Sequence, residues 1–208
     1  MNTEVKIFFA EVPEVVDEVA LQEALEGLPG WRLEKALAFR RPLDRYLCAR
    51  AWKLLKTALG EVYGIRELPP FGYLQAGKPY LEGLPDVHFN LSHCPSCVCC
   101  AVADRPVGVD VEDLQFEEAL AVEVCSPEEL SLIRSGGKPE VEFTRLWTMK
   151  ESLLKMTGEG IRNNMKGVLA PPCPEFSTLV PEGGKYVISC IAAGEKNIYR
   201  YEGLYSTL

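Results

Sequence analysis

An α+β fold is what the sequence predicts, and three observations predict it. Between Val107 and Glu112, Val107, Val109 and Val111 alternate with Gly108, Asp110 and Glu112, the period-two pattern of a half-buried strand. Phe143, Leu146, Met149, Leu153 and Met156 instead recur at three- and four-residue spacing, uninterrupted by Pro or Gly until Gly158, which is the pattern of a helix. Strand-like and helix-like stretches follow one another on both sides of residue 105, so neither type is confined to one end.

The elements are expected in this order. Residues 3–10 alternate around Val5, Ile7 and Phe9 as a first strand. Residues 14–27 form a short helix that stops at Gly27, ahead of Pro29-Gly30. Trp31, Leu33, Leu37 and Phe39 follow, interspersed with Arg32, Lys35, Arg40, Arg41 and Arg45, and a longer helix from about Asp44 to Leu59 buries Leu47, Ala51, Leu54, Leu55 and Ala58. Residues 68–85 are turns around short extended pieces, centred on Gly77-Lys78-Pro79, where the proline biases Lys78 toward an extended backbone. Val87, Phe89 and Leu91 alternate with His88, Asn90 and Ser92 as a strand ending in Ser92-His93. Val98–Val102 and Val107–Val111 are most simply a hairpin turning at Asp104-Arg-Pro106. Residues 116–135 form two helical pieces, with Ser126 as N-cap and Pro127 at the first helical position of the second. Tyr186–Ala192 is the clearest late strand, and Asn197–Tyr205 a last one.

Composition narrows the function. Hydrophobic residues make up 47% and charged residues 25%, an ordinary globular balance. No run approaches the ~18 apolar residues of a membrane span, and the amino terminus lacks the pattern of a signal peptide, so a soluble, cytoplasmic protein without membrane attachment is expected. A net charge of −8 without a compensating basic block argues against nucleic-acid binding. Cys94-x-x-Cys97-x-Cys99-Cys100 resembles half of a zinc site but has no second ligand pair, and only one of Cys99 and Cys100 can face the same way as Cys97 on a strand. These cysteines are expected in the core, reduced.

The chemistry concentrates in two segments. Asp110 and Glu112 share the polar face of one strand with backbones about 7 Å apart, a repulsive arrangement unless a cation or water lies between them. On the later helix Trp147, Glu151 and Lys155 form a stripe four residues apart. If strand and stripe face each other, three carboxylates surround one hard cation with a lysine a turn away, an arrangement suited to a metal-bound pyrophosphate. Taken alone, the helix reads as an exposed Glu-to-Lys pair on a surface, and it is the strand of carboxylates that reverses that reading. A serine-hydrolase reading of Ser92-His93 fails, because adjacent strand side chains point opposite ways.

Three blocks carry a resemblance: Phe89-Asn-Leu-Ser-His93; Pro106-Val-Gly-Val-Asp-Val-Glu112; and Leu146-Trp-Thr-Met-Lys-Glu-Ser-Leu-Leu-Lys155 followed by Gly158-x-Gly160. In order and separation they resemble the signature blocks of the 4′-phosphopantetheinyl transferases of the surfactin-synthetase-activating (Sfp) type. The resemblance implies two similar α/β halves, 1–105 and 106–208, related by a pseudo-twofold with the active site in the cleft between them. It implies transfer of 4′-phosphopantetheine from coenzyme A to a serine of an apo acyl or peptidyl carrier protein, in fatty-acid, polyketide or nonribosomal peptide synthesis. Asp110, Glu112 and Glu151 would hold Mg²⁺ (or Mn²⁺), and Asp110, Glu151 and Lys155 would be catalytic. Lys35, Arg45, Gly77, Lys78, Pro79, Ser92, His93 and Lys155 would contact coenzyme A, and the chain would act as a monomer. From the residues alone, a metal-dependent nucleotide-pyrophosphate hydrolase and a non-catalytic carrier-binding module remain alternatives.

Overall fold

The computed structural model describes residues 4–160, 164–194 and 197–204. Thr3 and Tyr205, at the outer ends of the expected first and last strands, lie outside the described residues. In chain order the elements are β1 (Glu4–Glu11), α1 (Glu18–Leu25), α2 (Gly30–Leu37), α3 (Pro42–Tyr63), β2 (Phe71–Tyr73), β3 (Pro79–Leu81), β4 (His88–Cys94), β5 (Cys97–Ala103), β6 (Val107–Asp113), α4 (Glu118–Val124), α5 (Pro127–Ser135), α6 (Pro139–Thr157), a single 3₁₀ turn (Met165–Gly167), β7 (Ser177–Leu179), β8 (Tyr186–Ala192) and β9 (Ile198–Gly203). The mixed α+β class holds. None of the described helices is long and apolar enough to cross a membrane.

Local chemistry accounts for the helix ends. Asp17 accepts the Ala20 N–H at the start of α1. Ser126 and Glu129 form a reciprocal capping box at the start of α5, with Pro127 in its first turn. The long helices α3 and α6 each begin with a proline and end on a left-handed glycine, Gly64 and Gly158.

Two sheets make the frame. The first has the order β4-β5-β1-β9, with β9 parallel to β1 and the other neighbours antiparallel; the second is the antiparallel β6-β8-β7, and β2-β3 is a separate small hairpin. Strand alternation sorts side chains between cores. Phe8, Ala10, Val98, Cys100 and Val102 pack under α1 and α3. Val5, Ile7, Phe9, Cys97, Cys99 and Ala101 meet Val107, Val109, Val111, Ile188 and Cys190 of the second sheet in a core shared by both. The outer face of the second sheet is covered by α6, where Thr148 and Ser189 share a hydrogen bond at 2.7 Å. The cysteines from 94 to 100 are free and buried, and Cys97 and Cys99 face one core while Cys100 faces the other.

One expected pairing is corrected. Residues 98–102 and 107–111 are both strands, but they do not form a hairpin: β6 pairs with β8, from Val107 opposite Ala192 to Asp113 opposite Tyr186. Both edges of β5 are already taken, by β4 and β1, so the chain leaves the first sheet at Asp104–Pro106 and starts the second. The Asn90 side chain on β4 links the sheets by accepting the Val109 N–H at 2.8 Å. The last strand, β9, returns from the carboxyl-terminal half to complete the first sheet.

Two features seat α6. A Cβ at Gly108 would lie 1.9 Å from the Ser152 carbonyl oxygen and 2.5 Å from the Met156 nitrogen, so the helix backbone rests directly on β6 there. On the far side of α6, the fully buried Lys150 donates to the Val124 carbonyl at 2.7 Å and to Glu129 at 2.6 Å, tying α6 to α4 and α5. Gly108→Ala is therefore expected to cost about 3 kcal/mol or more in urea denaturation, as overpacking against rigid backbone. Lys150→Met, which leaves the Glu129 carboxylate with the Ser126 N–H but without its cation, is expected to cost about 3 kcal/mol by the same measurement.

Candidate active site

The close seating of α6 on β6 brings their polar residues together. With Val107, Val109 and Val111 turned to the core, Gly108, Asp110 and Glu112 face outward, and Glu151 and Lys155, one helical turn apart on α6, come down on the same side. Asp110, Glu112, Glu151 and Lys155 line one cavity of about 500 Å³, within the range of small-molecule sites. The third residue of the expected stripe, Trp147, packs instead beside Phe143, ring centroids 6.4 Å apart.

Asp110 is nearly inaccessible to solvent. Its Oδ1 accepts from Lys155 Nζ at 2.5 Å and from the Ser92 hydroxyl at 2.7 Å, and Lys155 also donates to that hydroxyl at 2.9 Å. Its Oδ2, like Glu151 Oε1, is buried without a hydrogen-bond partner. Among these four side chains of β6 and α6, one ammonium thus faces three carboxylates. Burial, then the Asp110 charge, pushes the Glu112 carboxyl up to about 7. Burial and then Asp110 likewise raise Glu151, against the pull of Lys155. Burial works against the Lys155 charge, but Asp110, through its charge and hydrogen bond, carries the ammonium above its ordinary value. His93 lines the cavity rim, and its imidazole is lowered by desolvation and then by Lys155.

These carboxylates fit a hard divalent cation. Their donors are all oxygens, two of those oxygens are buried and unsatisfied, and the surplus negative charge is what a cation would relieve. Among the described residues, no three His, Cys, Asp or Glu side chains are drawn together as a closed metal cage. Asp110 is drawn to Lys155 instead.

The other predicted contacts divide. Lys35, Gly77, Pro79, Ser92 and His93 line the cavity. Lys78 does not: its Nζ donates to the carbonyls of Val107 at 2.9 Å and Met156 at 3.0 Å, and burial lowers its pKa to about 8. Between the start of β6 and the last turn of α6, its side chain is a brace for the two site-bearing elements. An extended backbone sets where a side chain departs, while the orphan carbonyls at a helix end decide what its ammonium meets. Arg45 likewise lies outside the cavity lining, and its Nε donates to the Phe39 carbonyl at 2.8 Å.

Sequence reasoning missed the aromatic end of the cavity. Trp31, Trp52 and Phe71 form a cluster, with centroid separations of 5.0 Å for Trp31–Trp52 and 5.6 Å for Trp52–Phe71. Arg32 stacks over Trp52 at 5.3 Å and donates to the Cys48 carbonyl at 2.9 Å. The available signal was the three-residue spacing of Arg32 and Lys35, which puts both on one face of α2.

A family model for the 4′-phosphopantetheinyl transferase superfamily matches residues 106–202. The chain is 34% identical over 172 residues to the 4′-phosphopantetheinyl transferase Sfp of Bacillus subtilis strain 168, covering 74% of this chain and 73% of that protein. It is 31% identical over 172 residues to the 4′-phosphopantetheinyl transferase psf-1 of Bacillus pumilus, covering 79% and 74%. A further 4′-phosphopantetheinyl transferase of Bacillus subtilis is 32% identical over 155 residues, 73% of this chain and 66% of that protein. The chain spans about two thirds to three quarters of the length of these relatives.

The crowded carboxylates also set a pH dependence. Glu112, with an ordinary value of 4.5 and about 7 when folded, binds its proton more tightly in the folded state. Its contribution therefore destabilises the fold progressively as pH rises from about 4.5 to about 7. Thermal melting in EDTA is expected to show Tm falling across that window, and Glu112→Gln should flatten that part of the fall and melt higher than wild type at pH 8.

Proposed function

The chain belongs to the 4′-phosphopantetheinyl transferase superfamily, and on that premise we propose that it moves the 4′-phosphopantetheine arm of coenzyme A onto a serine hydroxyl of an apo acyl or peptidyl carrier protein. The observation that carries this reading is the meeting in one cavity of Asp110 and Glu112 from β6 with Glu151 and Lys155 from α6. The serine Oγ attacks the phosphorus that bears the pantetheine arm. Its P–O bond forms, the pyrophosphate bridge breaks, and adenosine 3′,5′-bisphosphate leaves.

Each residue has a part. Asp110, Glu112 and Glu151 would hold a divalent cation, Mg²⁺ or the similarly oxygen-loving Mn²⁺, which when bound neutralises charge on the pyrophosphate. Glu151, its basicity raised by burial, accepts the serine proton. Lys155, kept charged by Asp110, stabilises the leaving bisphosphate. Ser92 holds Asp110 and Lys155 in register from β4. Arg32 and Lys35 on one wall and His93 on the rim supply charge and donors for the remaining phosphate, and the backbone around Gly77 and Pro79 forms another wall. We also infer that the halves 1–105 and 106–208 act as the two sides of the donor cleft, supported by the contribution of both to the cavity and by the Asn90–Val109 link between their sheets.

The test is the intact mass of an apo acyl carrier protein and an apo peptidyl carrier protein after incubation with the chain, coenzyme A and Mg²⁺, with and without EDTA. A metal-dependent gain of about 340 Da is expected. Glu151→Gln and Asp110→Ala should each lower the rate by about 10²–10⁴ while retaining cooperative melting. Full turnover in both variants, or release of free phosphopantetheine without any carrier gain, would overturn the assignment.

A further inference from the structure

The charge of this protein is unevenly spread. Eight of its 22 Lys and Arg residues fall between Arg32 and Lys56, where only Glu34 and Asp44 oppose them, so the segment is strongly positive within a chain of net charge −8. Four of these eight cations are occupied. Arg32 bonds the Cys48 carbonyl, Arg45 the Phe39 carbonyl and Lys53 the Glu23 carbonyl, and Arg50 lies over the Tyr46 ring. Arg40 and Arg41, in the short turn between α2 and α3, differ from them. Both are exposed, neither pairs with an acid among the described residues, and neither lines the cavity, so they are not committed to the donor.

Apolar surface adjoins them. Leu37 is 45% exposed and Phe39 42%, and Phe39 also lines the cavity. The turn is held in shape by Pro42 at the start of α3 and by the Arg45 hydrogen bond to the Phe39 carbonyl, so a partner would meet a surface already ordered. Two unpaired guanidinium groups beside an apolar pair, at the mouth of a reaction cavity, match an acidic protein surface with an apolar centre. The rest of the chain, being acidic, would repel such a surface, so this patch sets where and how it approaches.

We propose that the α2–α3 corner, centred on Arg40 and Arg41 with Leu37 and Phe39 beside them, is the docking surface for an acidic acceptor protein, presenting its serine to the cavity. The proposal rests on the transferase reading above and adds the place where the acceptor sits. Its occupant is the acceptor; the donor is bound elsewhere in the cavity.

The experiment measures steady-state transfer to apo acyl carrier protein and apo peptidyl carrier protein at saturating coenzyme A, for wild type, Arg40→Glu/Arg41→Glu and Arg40→Ala/Arg41→Ala. Sodium chloride is varied, and coenzyme A affinity is measured separately by calorimetry. Charge reversal is expected to raise KM for the acceptor at least about tenfold and to flatten its salt dependence, with kcat and coenzyme A affinity within about twofold of wild type. The alanine pair should show a smaller change in the same direction, which keeps the test decisive if the reversed variant melts early. An unchanged acceptor KM in both variants overturns the proposal, as does a matching loss of coenzyme A affinity, which would assign the arginines to the donor. Failure of the transferase reading is seen separately, as absence of transfer by the wild type to either acceptor.

Discussion

The bare backbone at Gly108 is the constraint on which the site depends. A helix packed on a sheet ordinarily stands off by the length of the intervening side chains, whereas here the Ser152 carbonyl and the Met156 amide occupy the space a Cβ would take. That approach brings Lys155 within hydrogen-bonding distance of Asp110 and sets Glu151 on the same cavity wall as Glu112. Other contacts hold it there: Thr148 to Ser189 across the helix–sheet interface, Lys78 across the Val107 and Met156 carbonyls, and Lys150 to Glu129 behind. All of these act on scaffold, and each bears on the position of the reacting groups.

The same approach produces an electrostatic imbalance that the rest of the molecule must tolerate. Three carboxylates and one ammonium share a largely buried cleft, two carboxylate oxygens lack partners, and Glu112 and Glu151 hold their protons more tightly as a result. Such an arrangement is unfavourable as structure and useful as a receptor for a cation and a pyrophosphate. Its cost is borne by a frame closed in sequence-distant ways. Strand β9 returns to pair with β1, and the core between the sheets is filled from both halves of the chain, with free cysteines serving as small apolar side chains.

Within this frame the cavity has two ends of different character. The acidic end, from β6 and α6, holds Asp110, Glu112, Glu151 and Lys155. The aromatic end, from Trp31, Trp52 and Phe71 with Arg32 and Lys35, offers apolar faces and fixed cations. The donor proposed above, with a nucleotide at one end and a pyrophosphate within it, would meet both, and α2 and α3 supply the second end from the half of the chain that carries none of the three site carboxylates.

Local periodicity was enough for much of this. Element types, the shared face of Asp110 and Glu112, the Ser126 N-cap, the Gly158 helix stop and the opposed facing of Cys99 and Cys100 all follow from spacings of a few residues, because dihedral preferences and side-chain direction are set by near neighbours. The three blocks in order also disclosed the family, since a motif records chemistry as well as shape. Tertiary structure decided the rest. Strand β6 pairs with β8 because β5 had no free edge, a fact about strands whose paired residues lie 73 to 85 positions apart and invisible in the turn at Asp104–Pro106. Lys78 turns to two carbonyls and Arg45 to a third, because a long cationic side chain goes to the nearest acceptors and those are assembled only on folding. The sequence by itself determined which groups could react, while the packing of one helix on one glycine determined that they meet.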